Sequence, residues 1–216
     1  MNSENKDNRR YEYGGDGFAV RPEYPVIAGW MPKAVTVLDL ACGDGALLHY
    51  LARKNGVVGE GIERSESGVR KATAHGLKAR TGEIDVRETY REIPDNAFDY
   101  AVCNVTLQMV MYPEVLIGEM TRIAHRQIVS FPNFGHVFNR IDHFLTGRMP
   151  RPQMFGYLWY DTGQIHQLGI ADFLSLCELH SLRILKDTHQ GFPEPLANFL
   201  PRLFSRTAIY LCERIS

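Results

Sequence analysis

Apolar positions along this chain switch repeatedly between a strand-like run and a helix-like stripe, and each switch marks an element. Val35-Thr-Val-Leu-Asp39-Leu is a short apolar run; Leu47, Tyr50 and Leu51 then fall on one side of a helix. The same alternation predicts strands at 57–63, 77–84, 98–104 and 127–131. Between them lie a helix from a Ser65 or Ser67 cap to about His75 and a helix opened by Pro113, in which Leu116, Met120 and Ile123 share a face. Pro22 starts a further short helix through Trp30. Strands that alternate with helices predict a parallel sheet covered on both sides, a doubly wound α/β fold.

The rhythm breaks after Pro132 for about thirty residues, longer than ordinary connections and so expected to be functional or associative. A helix resumes near Ile170, with Phe173, Leu176, Cys177 and His180 on one face. Two β-rich runs, 182–188 and 207–213, flank a proline-rich span beginning at Pro193. Residues 1–20 are polar and read as a mobile tail, although Tyr11, Tyr13 and Phe18 would let it fold over a ligand. The organisation expected is one domain over 21–216 carrying an inserted segment at about 134–166.

The first strand runs into Ala41-Cys-Gly43-Asp-Gly45. Gly43 and Gly45 accept positive φ and carry no Cβ, so the backbone there can approach a ligand closely. A pyrophosphate-gripping turn reads G-x-G-x-x-G, but Leu48 stands at the third position. Asp39 would repel a phosphate and attract an amino-acid ammonium. Glu63 follows Gly43 by about 20 residues, the distance at which doubly wound folds place a ribose acceptor. Both acids suit an adenosine that carries a cationic amino acid.

Net charge is −1 and the pI near 6.7, which gives no electrostatic case for nucleic acid or an acidic membrane surface. At 216 residues the chain can bury about 70% of its unfolded surface in one core. Cys42, Cys103, Cys177 and Cys212 are far apart, without a C-x-x-C pair, and read as buried free thiols on strand, strand, helix and strand in a reducing cytoplasm. The N-terminus lacks a signal-peptide core and no run suits a membrane span.

Ligands of doubly wound sheets lie outside the carboxyl ends of the strands. Glu83 and Ile84, after the third strand, are candidates for the adenine amino group and ring face, against an ordinary solvated turn. Asn104 offers an amide to the ligand or substrate, against a strand-end cap. The 134–166 segment combines Arg140, Arg148, Arg151, Tyr157, Trp159, Tyr160 and Asp161, the composition of a binding surface or of a lid over a pocket. His136, His143 and His166 lack metal-ligand spacing, so no metal is expected. If the chemistry needs a base, His136 or His166 is the first candidate and Tyr160 or Asp161 the next.

The run from Val37 to Gly45 resembles the first motif of class I S-adenosylmethionine-dependent methyltransferases, V-L-D-x-x-C-G-x-G. The resemblance sharpens to the MetW family of methionine-biosynthesis proteins through Asp39-Leu-Ala-Cys-Gly-Asp-Gly-Ala-Leu, Phe131-Pro-Asn-Phe-Gly-His136, Gly147-Arg-Met-Pro150, Trp159-Tyr-Asp-Thr162, Ile165-His166 and Asp172-Phe173. It spans roughly 21 to 192, with Ala41 in place of a usual glycine and Glu83 in place of a usual aspartate. It implies a seven-stranded, Rossmann-like, mostly parallel sheet with an antiparallel C-terminal strand. It also implies S-adenosylmethionine as cofactor, with S-adenosylhomocysteine as product, held by Asp39, Ala41, Cys42, Gly43, Gly45, Glu63, Glu83, Ile84 and Asn104. The implied role is in methionine biosynthesis with a homoserine O-acyltransferase as partner; methyl transfer to a small molecule is the alternative, and a homodimer is a further possible assembly.

Overall fold

The computed structural model describes residues 17–150, 159, 162–191 and 194–215. The elements follow in the order α1 (Glu23–Trp30), β1 (Thr36–Leu40), α2 (Ala46–Asn55), β2 (Val58–Glu63), α3 (Glu66–Ala74), β3 (Lys78–Thr81), β4 (Phe98–Asn104), α4 (Pro113–Ile123), β5 (Ala124–Pro132), α5 (Val137–Thr146), α6 (Ile170–Leu179), β6 (Leu182–Gly191), α7 (Glu194–Phe199), α8 (Pro201–Phe204) and β7 (Ser205–Arg214). The seven strands form one sheet in the order β3-β2-β1-β4-β5-β7-β6. Strands β1 to β5 are parallel, and β7 runs antiparallel between β5 and β6.

Side chains alternate across a strand, so neighbouring residues serve opposite faces. Leu38, Leu40, Ala101, Cys103, Val129 and Phe131 join one core with Leu116, Met120 and Phe173 of α4 and α6. Val37, Val102, Ile128 and Ile209 join the other with Ile27, Leu47 and Leu51 of α1 and α2. Asp39 shares the parity of Val37 and so belongs on the α1–α2 side. The sheet is covered on both faces, as its apolar runs require.

Several boundaries differ from the sequence reading. Strand β3 is only Lys78–Thr81, because Gly82 donates its N–H to the Glu63 carbonyl at 3.0 Å and the chain then turns away. The cap of α3 is Ser65, whose hydroxyl accepts from the Gly68 N–H. Strand β5 begins at Ala124, directly after α4. The expected irregular stretch after Pro132 contains α5, capped by His136 and ended by Gly147 at φ 65°. The proline-rich span likewise folds as the two short helices α7 and α8.

All four cysteines are free and buried, but Cys42 sits in the turn after β1 and not on a strand. Most of the expected tail lies outside the described residues. Phe18 packs between His49 and His75, with ring centroids 4.5 and 4.7 Å away. Among the described residues no helix is long and apolar enough to cross a membrane.

Candidate functional site

Sheet order reverses between β1 and β4, and the candidate residues Asp39 to Gly45 and Glu63 lie at the carboxyl edge of that switch point. The turn after β1 is wound left-handed in alternate residues: φ is 63° at Ala41, 58° at Gly43 and 82° at Gly45. Ala41 and Cys42 both donate to the Ile62 carbonyl, at 2.8 and 3.1 Å, which pins the turn against β2. Gly45 has a second reason to be glycine, because a Cβ there would collide with Leu77 and crowd Ala72.

Glu63 closes the turn from the next strand. Its carboxylate accepts from the Gly43 N–H at 2.9 Å and from the Ser65 N–H at 2.7 Å, and it is 5% exposed. A carboxylate offers about four lone-pair sites, so these two bonds orient Glu63 and leave acceptor capacity for a ligand's hydroxyls. Asp44 at the tip is paired with Lys71 at 3.0 Å.

Asp39 is 2% exposed. Burial, reinforced by the Glu63 charge and opposed by Arg21, pushes its carboxyl up to about 7. A buried acid held near neutrality becomes ionised when a cation arrives. Glu23, absent from the sequence-level candidates, is similar: it is 1% exposed, neither oxygen has a side-chain partner among the described residues, and burial raises its pKa against its own backbone N–H and Arg21. Arg21 therefore acts on both Glu23 and Asp39. In the sequence Glu23 reads as an ordinary acid in a helix's first turn, which is why it escapes notice.

Other candidates follow β3 and β4. Ile84 is buried, its carbonyl bonded by the Tyr90 hydroxyl at 2.5 Å, and Glu83 is half-buried with its carbonyl taken by Thr89. Asn104 ends β4, and its Oδ1 accepts from the Ser130 hydroxyl at 2.6 Å. Val105 follows at φ 54°, unusual for a β-branched residue, and donates its N–H to Ser130.

A second cluster forms where the loops after β4 and β5 meet the end of the inserted segment. Ile165 and His166 donate their N–H groups to the Gln108 carbonyl at 2.9 and 3.0 Å, and Phe134 donates to the Leu168 carbonyl at 2.9 Å. His136 is 1% exposed, and its Nδ1 accepts from the Phe138 N–H at 3.3 Å. Burial and the Arg206 charge lower its pKa, with the Phe204 carbonyl working the other way. His166 is exposed, its Nε2 within 3.4 Å of the Met111 carbonyl. The candidates Tyr160 and Asp161 lie outside the described residues, as do Arg151 and Tyr157. Among the described residues no group of three or more His, Cys, Asp or Glu side chains is placed to hold a metal ion.

A doubly wound sheet with an antiparallel seventh strand, a glycine-bearing turn after β1 and an acid ending β2 defines the class I methyltransferase fold. A solved S-adenosylmethionine dependent methyltransferase from Mesorhizobium loti is similar, with TM-score 0.63, 14% identity and coverage of 89% of this chain and 97% of that one. The [4+2]-cyclase SpnF matches at TM-score 0.65 and 16% identity over 88% and 79%. Likeness to a cyclase as well as a methyltransferase fixes the fold and leaves the chemistry open.

The chain belongs to the family described as methionine biosynthesis protein MetW, whose profile matches residues 21–212. The bifunctional methionine biosynthesis protein MetXA/MetW of Rhodopirellula baltica is 31% identical over 156 residues, which are 68% of this chain and 25% of that protein. A ubiquinone biosynthesis O-methyltransferase of Paracidovorax citrulli is 30% identical over 46% of this chain and 45% of that one. A trans-aconitate 2-methyltransferase of Mycobacterium tuberculosis is 36% identical over 44% and 35%. The matched stretches thus span less than half the length of these curated relatives.

Proposed function

We propose that the chain binds S-adenosylmethionine at the carboxyl edge of β1 and β2 and acts in methionine biosynthesis together with a homoserine O-acyltransferase. The observation that carries the cofactor reading is the pair of buried acids around a left-handed turn. Glu63, already oriented by two backbone N–H groups, is placed to accept ribose hydroxyls. Asp39, buried on the α1–α2 side, is suited to the ammonium. The backbone at Gly43 and Gly45 allows the ligand to approach closely. When bound, the cofactor supplies an activated sulfonium methyl, so the protein's part is mainly to bind, orient and exclude water.

Family membership and the bifunctional relative support the pathway and the partner. In that relative one polypeptide carries a MetXA part beside the region similar to this chain. Helix α5 supplies a contact surface suited to such a neighbour: Phe138, Ile141, Phe144 and Leu145 are 54%, 47%, 87% and 73% exposed. Apolar side chains in that density on one helix are unusual on a surface with nothing to cover them.

A second reading, methyl transfer to a small molecule, is favoured by the similarity to a ubiquinone biosynthesis O-methyltransferase and a trans-aconitate 2-methyltransferase. The test is calorimetry with S-adenosylmethionine and S-adenosylhomocysteine, followed by co-purification with the acyltransferase. Binding near the micromolar range, about −8 kcal/mol, is expected. Absence of binding by both cofactor forms overturns the cofactor reading. Absence of association at about micromolar concentration, with methyl transfer to a metabolite seen instead, replaces the partner reading by the enzyme.

A further inference from the structure

The edge of the sheet opposite the glycine-bearing turn carries an open cleft of about 650 Å³, where β4 and β5 begin and antiparallel β7 ends. Asp95, Arg122, Arg126, Arg183, Glu213 and Arg214 are among its walls. The chain as a whole has 24 Lys and Arg against 25 Asp and Glu, so four guanidiniums beside two carboxylates in one cleft is a local excess of positive charge. Register explains the gathering. Arg126 of β5 and Arg183 of β6 are both cross-strand partners of Glu213 on β7, and Arg214 is the next residue.

The partners already present satisfy only part of this charge. Arg122 is held by Asp95 at 2.7 Å and Glu119 at 2.8 Å, with the Ile93 and Tyr90 carbonyls at 2.9 and 3.2 Å. Arg183 ion-pairs with Glu213. Arg126 donates Nη1 to the Tyr100 hydroxyl at 3.0 Å, which orients its guanidinium, and feels Glu213 only beyond ion-pair distance. Arg214 belongs to none of the ion pairs among the described residues. Arg126, Arg183 and Arg214 are exposed, so a solute reaches them directly. Like charges gathered at one place repel, and an anion between them relieves the repulsion. A guanidinium presents parallel N–H donors that match phosphate oxygens, and the volume suits an organic molecule better than a lone ion.

We propose that this cleft binds a small organic phosphate, with the phosphate held between Arg126 and Arg214. Alternation along β7 puts Arg214 on the opposite face of the sheet from Glu213 and Arg126, so the phosphate lies across the strand ends with a guanidinium on either side. Asp95, bonded to Arg122 through Oδ1, leaves Oδ2 as an acceptor for a hydroxyl of the same ligand. Asp39, Gly43, Gly45 and Glu63 lie at the other edge, so this site and the proposed cofactor site share no side chain.

The experiment is calorimetry on the full chain at low salt with ribose 5-phosphate, and with ribose and citrate for comparison. Ribose 5-phosphate is expected to bind in the millimolar range or tighter, citrate about threefold or more weakly, and ribose not at all. Arg126→Gln and Arg214→Gln should each weaken ribose 5-phosphate about tenfold. Arg70→Gln makes the same change of charge on α3, which packs beside β2 and β3 at the other end of the sheet, and should leave binding within about twofold. All three positions are exposed, and thermal midpoints within about 3 °C of the unaltered chain show that the variants fold. Should Arg126→Gln lose stability with its Tyr100 bond, Arg214→Gln carries the test alone. No heat from ribose 5-phosphate at about 20 mM overturns the proposal. An equal loss in Arg70→Gln overturns it too, because the attraction is then diffuse, as does unchanged binding in Arg214→Gln. Citrate binding more tightly than ribose 5-phosphate overturns the phosphate assignment.

Discussion

The two halves of the carboxyl edge solve opposite problems. Around β1 and β2, two backbone N–H groups grip Glu63, two more share the Ile62 carbonyl, and Asp44 is paired with Lys71. Around β4 and β5, among the described residues, Gln108 and Gln164 keep polar atoms without partners, and the adjoining helix α5 exposes its apolar side chains. The first half is preorganised. The second turns apolar side chains outward and, among the described residues, leaves buried side-chain atoms without partners.

The largest expected effect removes the first half's clamp. Glu63→Ala deletes the ribose acceptor and strands two amide donors, so S-adenosylhomocysteine affinity should fall about 100-fold, equivalent to ~3 kcal/mol. Gly43→Val, at φ 58°, should strain the turn and obstruct the ligand. Calorimetry on both variants checks this; affinity kept within about twofold in both would move the cofactor elsewhere.

The next effect is a pH dependence. Burial, reinforced by the Glu63 charge, pushes the Asp39 carboxyl up to about 7. A bound ammonium favours the ionised carboxylate, so affinity for S-adenosylhomocysteine should rise with pH by up to about tenfold per unit between roughly 5 and 7 and flatten above. The ligand-free stability changes in the opposite sense. The folded pKa is raised, so Asp39's contribution is full below about 4, its unfolded range, and is lost as pH rises through about 7. Asp39→Asn should remove both slopes, which titration calorimetry and denaturant curves across pH would reveal.

The first half was legible in the sequence for the same reason that it is well satisfied. Its polar contacts are local or arise between adjacent parallel strands, so Asp39, Gly43, Gly45 and Glu63 announce themselves by spacing. The second half joins positions far apart in the chain, such as Gln108 with Ile165 and His136 with Arg206, and no short motif records that. Helix α5 has helical spacing in Phe138, Ile141 and Leu145, but its apolar side chains face outward, so the segment did not read as another helix of the sheet's outer layers. Glu23 was hidden by its ordinary place in a helix's first turn.

Helix α5 gives a smaller effect that separates fold from partnership. Phe144→Asp and Leu145→Asp alter exposed positions and should change stability by no more than about 0.5 kcal/mol. Association with the acyltransferase should weaken about tenfold or more, because apolar contacts at the centre of an interface carry much of its energy. Pull-down and calorimetry with the purified enzyme test it. Unchanged association with both variants would place the contact on another face.

The smallest effect concerns Ala41, the departure from the family's usual glycine. At φ 63° an alanine Cβ approaches the following carbonyl oxygen, a strain of roughly 1–2 kcal/mol that glycine does not have. Glycine costs more backbone entropy in the unfolded chain, about 0.4–1 kcal/mol, and the two terms oppose each other. The strain is the larger, so Ala41→Gly should stabilise the ligand-free chain by up to about 1 kcal/mol in urea unfolding. Cofactor affinity should stay within about threefold, since the Ala41 and Cys42 N–H groups remain bonded to Ile62. A loss of stability would mean that the methyl group packs well enough to outweigh its strain. The turn would then be held by that side chain as well as by its backbone.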